Sequence, residues 1–250
     1  MKKLLFLFVF SIIHVKVNAQ AKVKDSLLLA PVLGFSYSYQ LSGGDLKKRF
    51  GNNSNVGAQF LLKFKSNWLI GADYSFLFGS KLKETGMLDS IKTETGFIID
   101  VNGQYAQTRM FERGYTASIK AGKLIPLLSP NKNSGFYATL GIGMLQHKIR
   151  IEDIGNNSPH LSKEYRKGYD RMTNGIAITE FIGYMLLSNT RLFNAFAGFE
   201  FTQAFTQSRR SYNFDTMERD TQKRKDYLSG FRLGIILPLY KRGPMDYYYD

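Results

Sequence analysis

Val56-Gly57-Ala58-Gln59-Phe60-Leu61-Leu62-Lys63-Phe64 and Trp68-Leu69-Ile70-Gly71-Ala72-Asp73-Tyr74-Ser75-Phe76-Leu77-Phe78 are two alternating runs, separated by the polar turn Lys65-Ser66-Asn67. Successive strand side chains point to opposite faces, so the pair predicts a β-hairpin. One face carries Val56, Ala58, Phe60, Leu62 and Phe64 beside Trp68, Ile70, Ala72, Tyr74, Phe76 and Phe78. The other carries Gln59, Lys63, Gly71, Asp73 and Ser75, which are too polar and too small for the core of a soluble sandwich. Apolar outside and polar inside is the pattern of a membrane β-barrel.

The same alternation recurs along the chain. It predicts strands over 30–40, 114–125, 135–149, 176–187, 192–205 and 227–240, making eight with the hairpin. The connections alternate long and short, as expected of an outer-membrane barrel with short periplasmic turns and long extracellular loops. An even strand count puts both termini in the periplasm. The connection 79–113 is far longer than most loops, and its Phe97-Ile98-Ile99 and Gly103-Gln104-Tyr105-Ala106 are too apolar for free solvation. They predict either a short extra hairpin above the membrane or a cap folded over the barrel mouth. A soluble lipocalin-like barrel is the rival fold, but it would turn its apolar parity inward.

The N-terminus supplies a compartment. Lys2-Lys3, the apolar run Leu4 to Ile13 and Val17-Asn18-Ala19 have the three parts of a signal peptide, cut before Gln20. The expected organisation is a signal peptide over 1–19, a periplasmic lead over 20–29, the barrel over 30–240 and a periplasmic tail over 241–250. No later run of eighteen apolar residues predicts a spanning helix. Mean hydropathy is slightly negative at -0.23, because alternating strands dilute the signal that a spanning helix concentrates.

The chain has 20 Phe, 15 Tyr and 23 Gly and no Cys, which excludes disulfides and thiolate metal sites. The net charge of +14 raises nucleic acid as a partner, but the cations are scattered and three of them fall in the signal peptide. Attraction to anionic head groups accounts for the balance, and no nucleic-acid partner is expected. With no close His pair and no calcium-loop spacing, neither a metal nor a cofactor is expected. Gly141-x-Gly143 lies in a strand pattern with no helix after it, so it is not a dinucleotide fingerprint.

This layout resembles the small eight-stranded outer-membrane barrels of the OmpA/OmpX type over nearly all of the mature chain. More narrowly, Gly103-Gln104-Tyr105-Ala106, Glu112-Arg113-Gly114, Arg232-Leu233-Gly234 and Leu237-Pro238-Leu239-Tyr240 are similar to outer-membrane barrels of the Bacteroidota type. The chain departs from the usual ending on a terminal aromatic strand residue, since Lys241 to Asp250 continue past it with Tyr247-Tyr248-Tyr249. The resemblance supplies no activity.

An eight-stranded barrel is just wide enough to be filled by its own side chains. By parity Lys63, Lys120 and Arg232 face the lumen with Asp73, Glu180 and Glu200, three cations against three carboxylates, expected to plug and rigidify it. Loop cations Lys47, Lys48, Arg49, Arg209, Arg210, Lys223, Arg224 and Lys225 are the expected contacts for lipopolysaccharide phosphates. Phe35, Tyr37, Tyr39, Trp68, Tyr74, Phe76, Phe78, Tyr115, Phe199, Phe201 and Tyr227 are expected in the lipid-facing band and its girdles. An enzyme would have to be built around His147 or His160, yet no nucleophile elbow accompanies either. The expectation is a monomeric, non-enzymatic barrel in the outer membrane of a Gram-negative bacterium, with a structural or surface-interaction role. The alternatives are a component of an envelope transport or secretion assembly, docking other envelope proteins, and a lipid A-modifying enzyme.

Overall fold

The computed structural model describes residues 27–155, 157–188 and 193–239. The expected signal peptide over 1–19, most of the expected lead over 20–29, residues 156, 189–192 and 240, and the expected tail over 241–250 lie outside the described residues. Eight long strands close on themselves: β1 (Ala30–Gly44), β2 (Asn53–Lys63), β3 (Trp68–Gly79), β6 (Thr108–Ile125), β7 (Gly135–Asp153), β8 (Thr173–Leu187), β9 (Asn194–Ser208) and β10 (Lys223–Pro238). Every neighbour is antiparallel, and β10 pairs with β1 to shut the barrel, so no edge is left to aggregate.

Connections at 64–67, 126–134 and 188–193, none longer than nine residues, alternate with those at 45–52, 80–107, 154–172 and 209–222, of which the last three run to fourteen residues or more. β1 starts and β10 finishes at the short-turn end, where Val32 pairs with Pro238. The first hairpin turns at Asn67, whose φ of 62° is tolerated by asparagine, while the Asn67 N–H donates to the Phe64 carbonyl. Within 80–107, β4 (Ile98–Ile99) pairs with β5 (Tyr105–Ala106) as a small separate hairpin, and Ile98 is buried. Both readings of that stretch therefore meet: it is a hairpin, and it packs on the barrel mouth.

The strands run further toward the long loops than the alternation predicts, and β7 shows why. Its outward residues are Phe136, Ala138, Leu140, Ile142 and Met144, then Gln146, Lys148, Arg150 and Glu152. Its inward ones are Tyr137, Thr139, Gly141 and Gly143, then Leu145, His147, Ile149 and Ile151. At Met144–Leu145 the barrel thus changes from inside-out to the polarity of a water-soluble protein. Apolar-outside parity stops there, but the ladder continues, pairing Thr108 with Asp153. The predicted aromatics occupy the outer face, among them Phe35, Tyr37, Tyr39, Trp68, Tyr74, Phe76, Phe199 and Phe201, with Phe199 as much as 71% exposed. Lys123 lies 5.4 Å from the Trp68 ring at the short-turn rim.

Candidate functional site

The lumen is filled in three layers. At the short-turn end Ala30, Val32, Leu61, Leu69, Leu124, Tyr137, Phe181, Met185, Leu187, Phe196 and Ile236 form one apolar cluster. At the long-loop end Leu77, Leu145, Ile149, Ile151, Ala177, Ala204 and Leu228 of the barrel pack with Leu46, Phe50, Met87, Leu88, Ile98, Leu161 and Tyr169 of the loops. Between them lies an ionic layer. Arg232 donates from Nη1 to Glu200 Oε2 at 2.5 Å, from Nη2 to Asp73 Oδ2 at 2.5 Å and from Nε to Ser36 Oγ at 3.0 Å. Lys120 Nζ is 3.2 Å from Asp73 Oδ2. Two cations thus face two carboxylates in a buried, charge-balanced set drawn from β3, β6, β9 and β10, which is the condition for keeping charge out of water.

Four of the six residues assigned to the lumen network belong to it, and two do not. Lys63 does face inward, but it sits at the short-turn end and donates to Asn133 Oδ1 at 2.9 Å, away from the ionic layer. Glu180 faces outward and is exposed, opposite Leu140 of β7 and Phe201 of β9. β8 is apolar on both faces through Ile176-Ala177-Ile178-Thr179-Glu180-Phe181-Ile182, so a single carboxylate was a poor marker of parity. The inward side is set by Phe181, which packs on Tyr137 and Phe196 with ring centroids 4.9 and 6.0 Å apart. Gly183 and Gly198 make room for that ring: a Cβ on either would sit 2.7 Å from its Cζ.

The loops are fastened over the mouth by a second set of charges. The short helix α1 (Leu46–Arg49) turns Arg49 inward, where Nε meets Glu84 at 3.1 Å, Nη1 meets Thr173 Oγ1 at 3.1 Å and Nη2 meets the Arg171 carbonyl at 3.2 Å. Arg171, just before β8, pairs with Glu84 and with Asp215. Asp170, at the end of helix α2 (Arg166–Tyr169), accepts from Arg210 Nε at 2.7 Å and Nη2 at 2.5 Å. All four long connections are joined. Burial, with Arg224 and Arg171 nearby, pulls the Arg49 guanidinium down to about 10, which leaves it charged at neutral pH. The bond from Asp170 shifts Arg210 the other way, upward.

This clasp reassigns several of the expected lipopolysaccharide contacts. Arg49 is buried in it, Arg210 belongs to Asp170, Arg224 pairs with Asp220 at 2.6 Å, and Lys48 pairs with Asp45 at 2.8 Å. Lys47, Lys223 and Lys225 remain exposed without a carboxylate, and Arg209 is exposed with its Nε bonded to Asn174 Oδ1. Glu84, Arg171 and Asp170 carry no signal in the sequence, and Asp215 reads only as a loop acid that offsets part of the loop charge, since loop residues show no periodicity and only the closed topology brings them together.

His147 is fully buried. Its Nε2 lies 2.9 Å from Asp226 Oδ2, which also accepts from Thr206 Oγ1 at 2.5 Å, and Phe50 stands edge-on to its ring. Thr206 and His147 share one carboxylate oxygen, so the hydroxyl does not face the imidazole as a nucleophile would. His160 lies on the surface of the 154–172 connection. Among the described residues no cluster of three or more His, Asp or Glu forms a cage for a cation. A groove of about 550 Å³ opens on the outer wall, between Tyr184 and Leu186 on one side and Leu233 and Ile235 on the other, floored by Ala195 and Ala197.

No family model and no curated protein matches the chain. Among solved structures it is similar to Neisserial surface protein A, with a TM-score of 0.45 and 10% identity over 83% of this chain and 96% of that one. It is similar also to Ail, the attachment invasion locus protein of Yersinia pestis, solved with the heparin analogue sucrose octasulfate (TM-score 0.44, 11% identity, 84% and 100% covered). A third is the outer membrane protein OprG from Pseudomonas aeruginosa (TM-score 0.37, 10% identity, 88% and 100% covered).

Proposed function

We propose that this protein is an integral outer-membrane barrel of a Gram-negative bacterium that acts without catalysis, as a rigid membrane anchor for a surface-exposed platform of loops. The observation that carries the reading is the filled lumen: an apolar layer at each end and a neutral ionic layer between them. The outer face is a belt of aromatic and aliphatic side chains, and water-soluble polarity returns only above Met144. That distribution suits a bilayer, with the long loops outside and the chain ends in the periplasm. His147 has neither exposure nor a facing nucleophile, which supports the non-enzymatic reading.

The platform carries chemistry suited to partners. Phe97 and Tyr105 stack at 4.4 Å on the β4–β5 hairpin, and Val101 at its tip is 66% exposed. This apolar tip favours contact with another envelope protein, the role of an assembly component. Lys47, Lys223 and Lys225 would meet lipopolysaccharide phosphates.

Planar bilayer recording on heat-shifting, monomeric protein tests the sealed lumen. The barrel should give no discrete conductance steps, and regular steps from the wild-type chain would make it a channel. Mass spectrometry of lipid A from cells with and without the protein tests catalysis, and an altered lipid A would replace the anchor reading with an enzyme.

A further inference from the structure

Arg113 of β6 and Lys148 of β7 are direct partners in the ladder, and both point outward. Like charges opposite one another on a sheet face repel, so the arrangement costs stability unless an anion lies between them. Counting outward-facing rungs only, the pair stands one above Tyr115–Gln146 and two above Ala117–Met144, the last apolar rung of the wall. Arg150 follows on the same face of β7. Arg209, the residue after β9, donates its N–H to the carbonyl of Met172, the residue before β8, at 2.8 Å and extends the row to that side.

The nearby carboxylates are largely engaged elsewhere. Glu152 takes Arg150 at 2.7 Å, and Asp170 is 3.9 Å from Lys148 but already holds Arg210 through both its oxygens. Arg113 is held in place without a carboxylate: Nη1 donates to the Glu112 carbonyl at 2.7 Å, and its guanidinium lies 4.9 Å from the Phe111 ring. A guanidinium fork matches phosphate oxygens bidentately.

We infer that Arg113 and Lys148, with Arg150 and Arg209 beside them, form a seat for the phosphate of an acidic lipid head group packed against the β6–β7 wall, with its acyl chains along Ile119, Leu140 and Ile142. The inference rests on the outer-membrane reading above and adds to it a defined lipid site, centred on the ladder pair Arg113–Lys148, which is not among the loop cations, with Arg209 the one residue shared with them. Height selects the ligand: the cations lie where the apolar wall ends, which is where head-group phosphates lie.

The test titrates fluorescent diphosphoryl lipid A, in neutral detergent, against the full-length protein. Replacing both residues, R113Q with K148Q, should weaken binding roughly twentyfold and flatten its salt dependence. K132Q, on the exposed turn at the opposite end, should leave binding unchanged. The charge-preserving pair R113K with K148R should stay within about threefold of wild type. Wild-type affinity in the Gln pair overturns the seat, as does equal loss in the charge-preserving pair. Displacement by millimolar inorganic pyrophosphate would assign the site to free phosphate and overturn the lipid. Heat modifiability read on the same samples separates the two claims: a protein that shifts but does not bind refutes the seat alone, and one that never shifts refutes the membrane barrel.

Discussion

Replacing Arg232 with Met removes the group that holds the ionic layer together. Its guanidinium makes three hydrogen bonds, to Glu200, Asp73 and Ser36, and the residue is 1% exposed. Without it Asp73 keeps Lys120 at 3.2 Å, but Glu200 loses the ion pair that balances it. Breaking a buried pair by removing one partner costs about 3–5 kcal/mol, because the other charge stays buried and uncompensated. Removing Glu200 as well, as E200L in the same chain, leaves the Asp73–Lys120 pair neutral and should recover about half or more of that loss. Urea titration of protein refolded in lipid vesicles, followed by the folded and unfolded gel bands, measures both. A loss below about 1 kcal/mol for R232M, or a double variant no more stable than the single one, would refute the claim that charge balance organises the lumen.

Glu180 presents a carboxylate to the wall between Leu140 and Phe201, so E180L should raise stability in vesicles by about 1–2 kcal/mol; a loss would show that the carboxylate is needed there. R171A removes the pairs to Glu84 and Asp215 and should raise the proteolysis rate of the 80–107 and 209–222 connections roughly fivefold while leaving the gel shift intact. G183L sets a Cβ into the Ala197 carbonyl oxygen as well as 2.7 Å from the Phe181 ring and should lower folding yield in vesicles, and F181A in the same chain should not restore it, because the backbone clash remains; full recovery would show that the ring alone sets the limit.

The barrel was legible because lipid imposes one rule on every strand that crosses it. Ala30 to Gln40 and Val56 to Phe78 obey that rule outside the turn at Lys65-Ser66-Asn67, and their partners depart from it only at the rims, as where Trp68 pairs with Lys123 and Phe78 with Arg113. Above Met144 the rule reverses, and Arg150-Ile151-Glu152-Asp153 falls outside the predicted strand only when apolar-outside parity is demanded throughout. Where both faces are apolar the rule says nothing, which is why Glu180 was placed in the lumen and Phe181 was not. Asp73, Lys120, Glu200 and Arg232 were readable because each stood alone on an otherwise small, polar face. The loop clasp was not readable: Arg49, Glu84, Arg171 and Asp215 meet across separations that only barrel closure creates, and that closure converts expected lipid contacts into internal ion pairs.

The central claim is a closed barrel carried in the outer membrane, and gel mobility of the fractionated protein tests it most directly. Unheated and boiled samples of the outer-membrane fraction should run at different apparent sizes, the unheated band moving as a compact, folded barrel. A protein found in the soluble fraction, with the same mobility before and after boiling, would contradict the account.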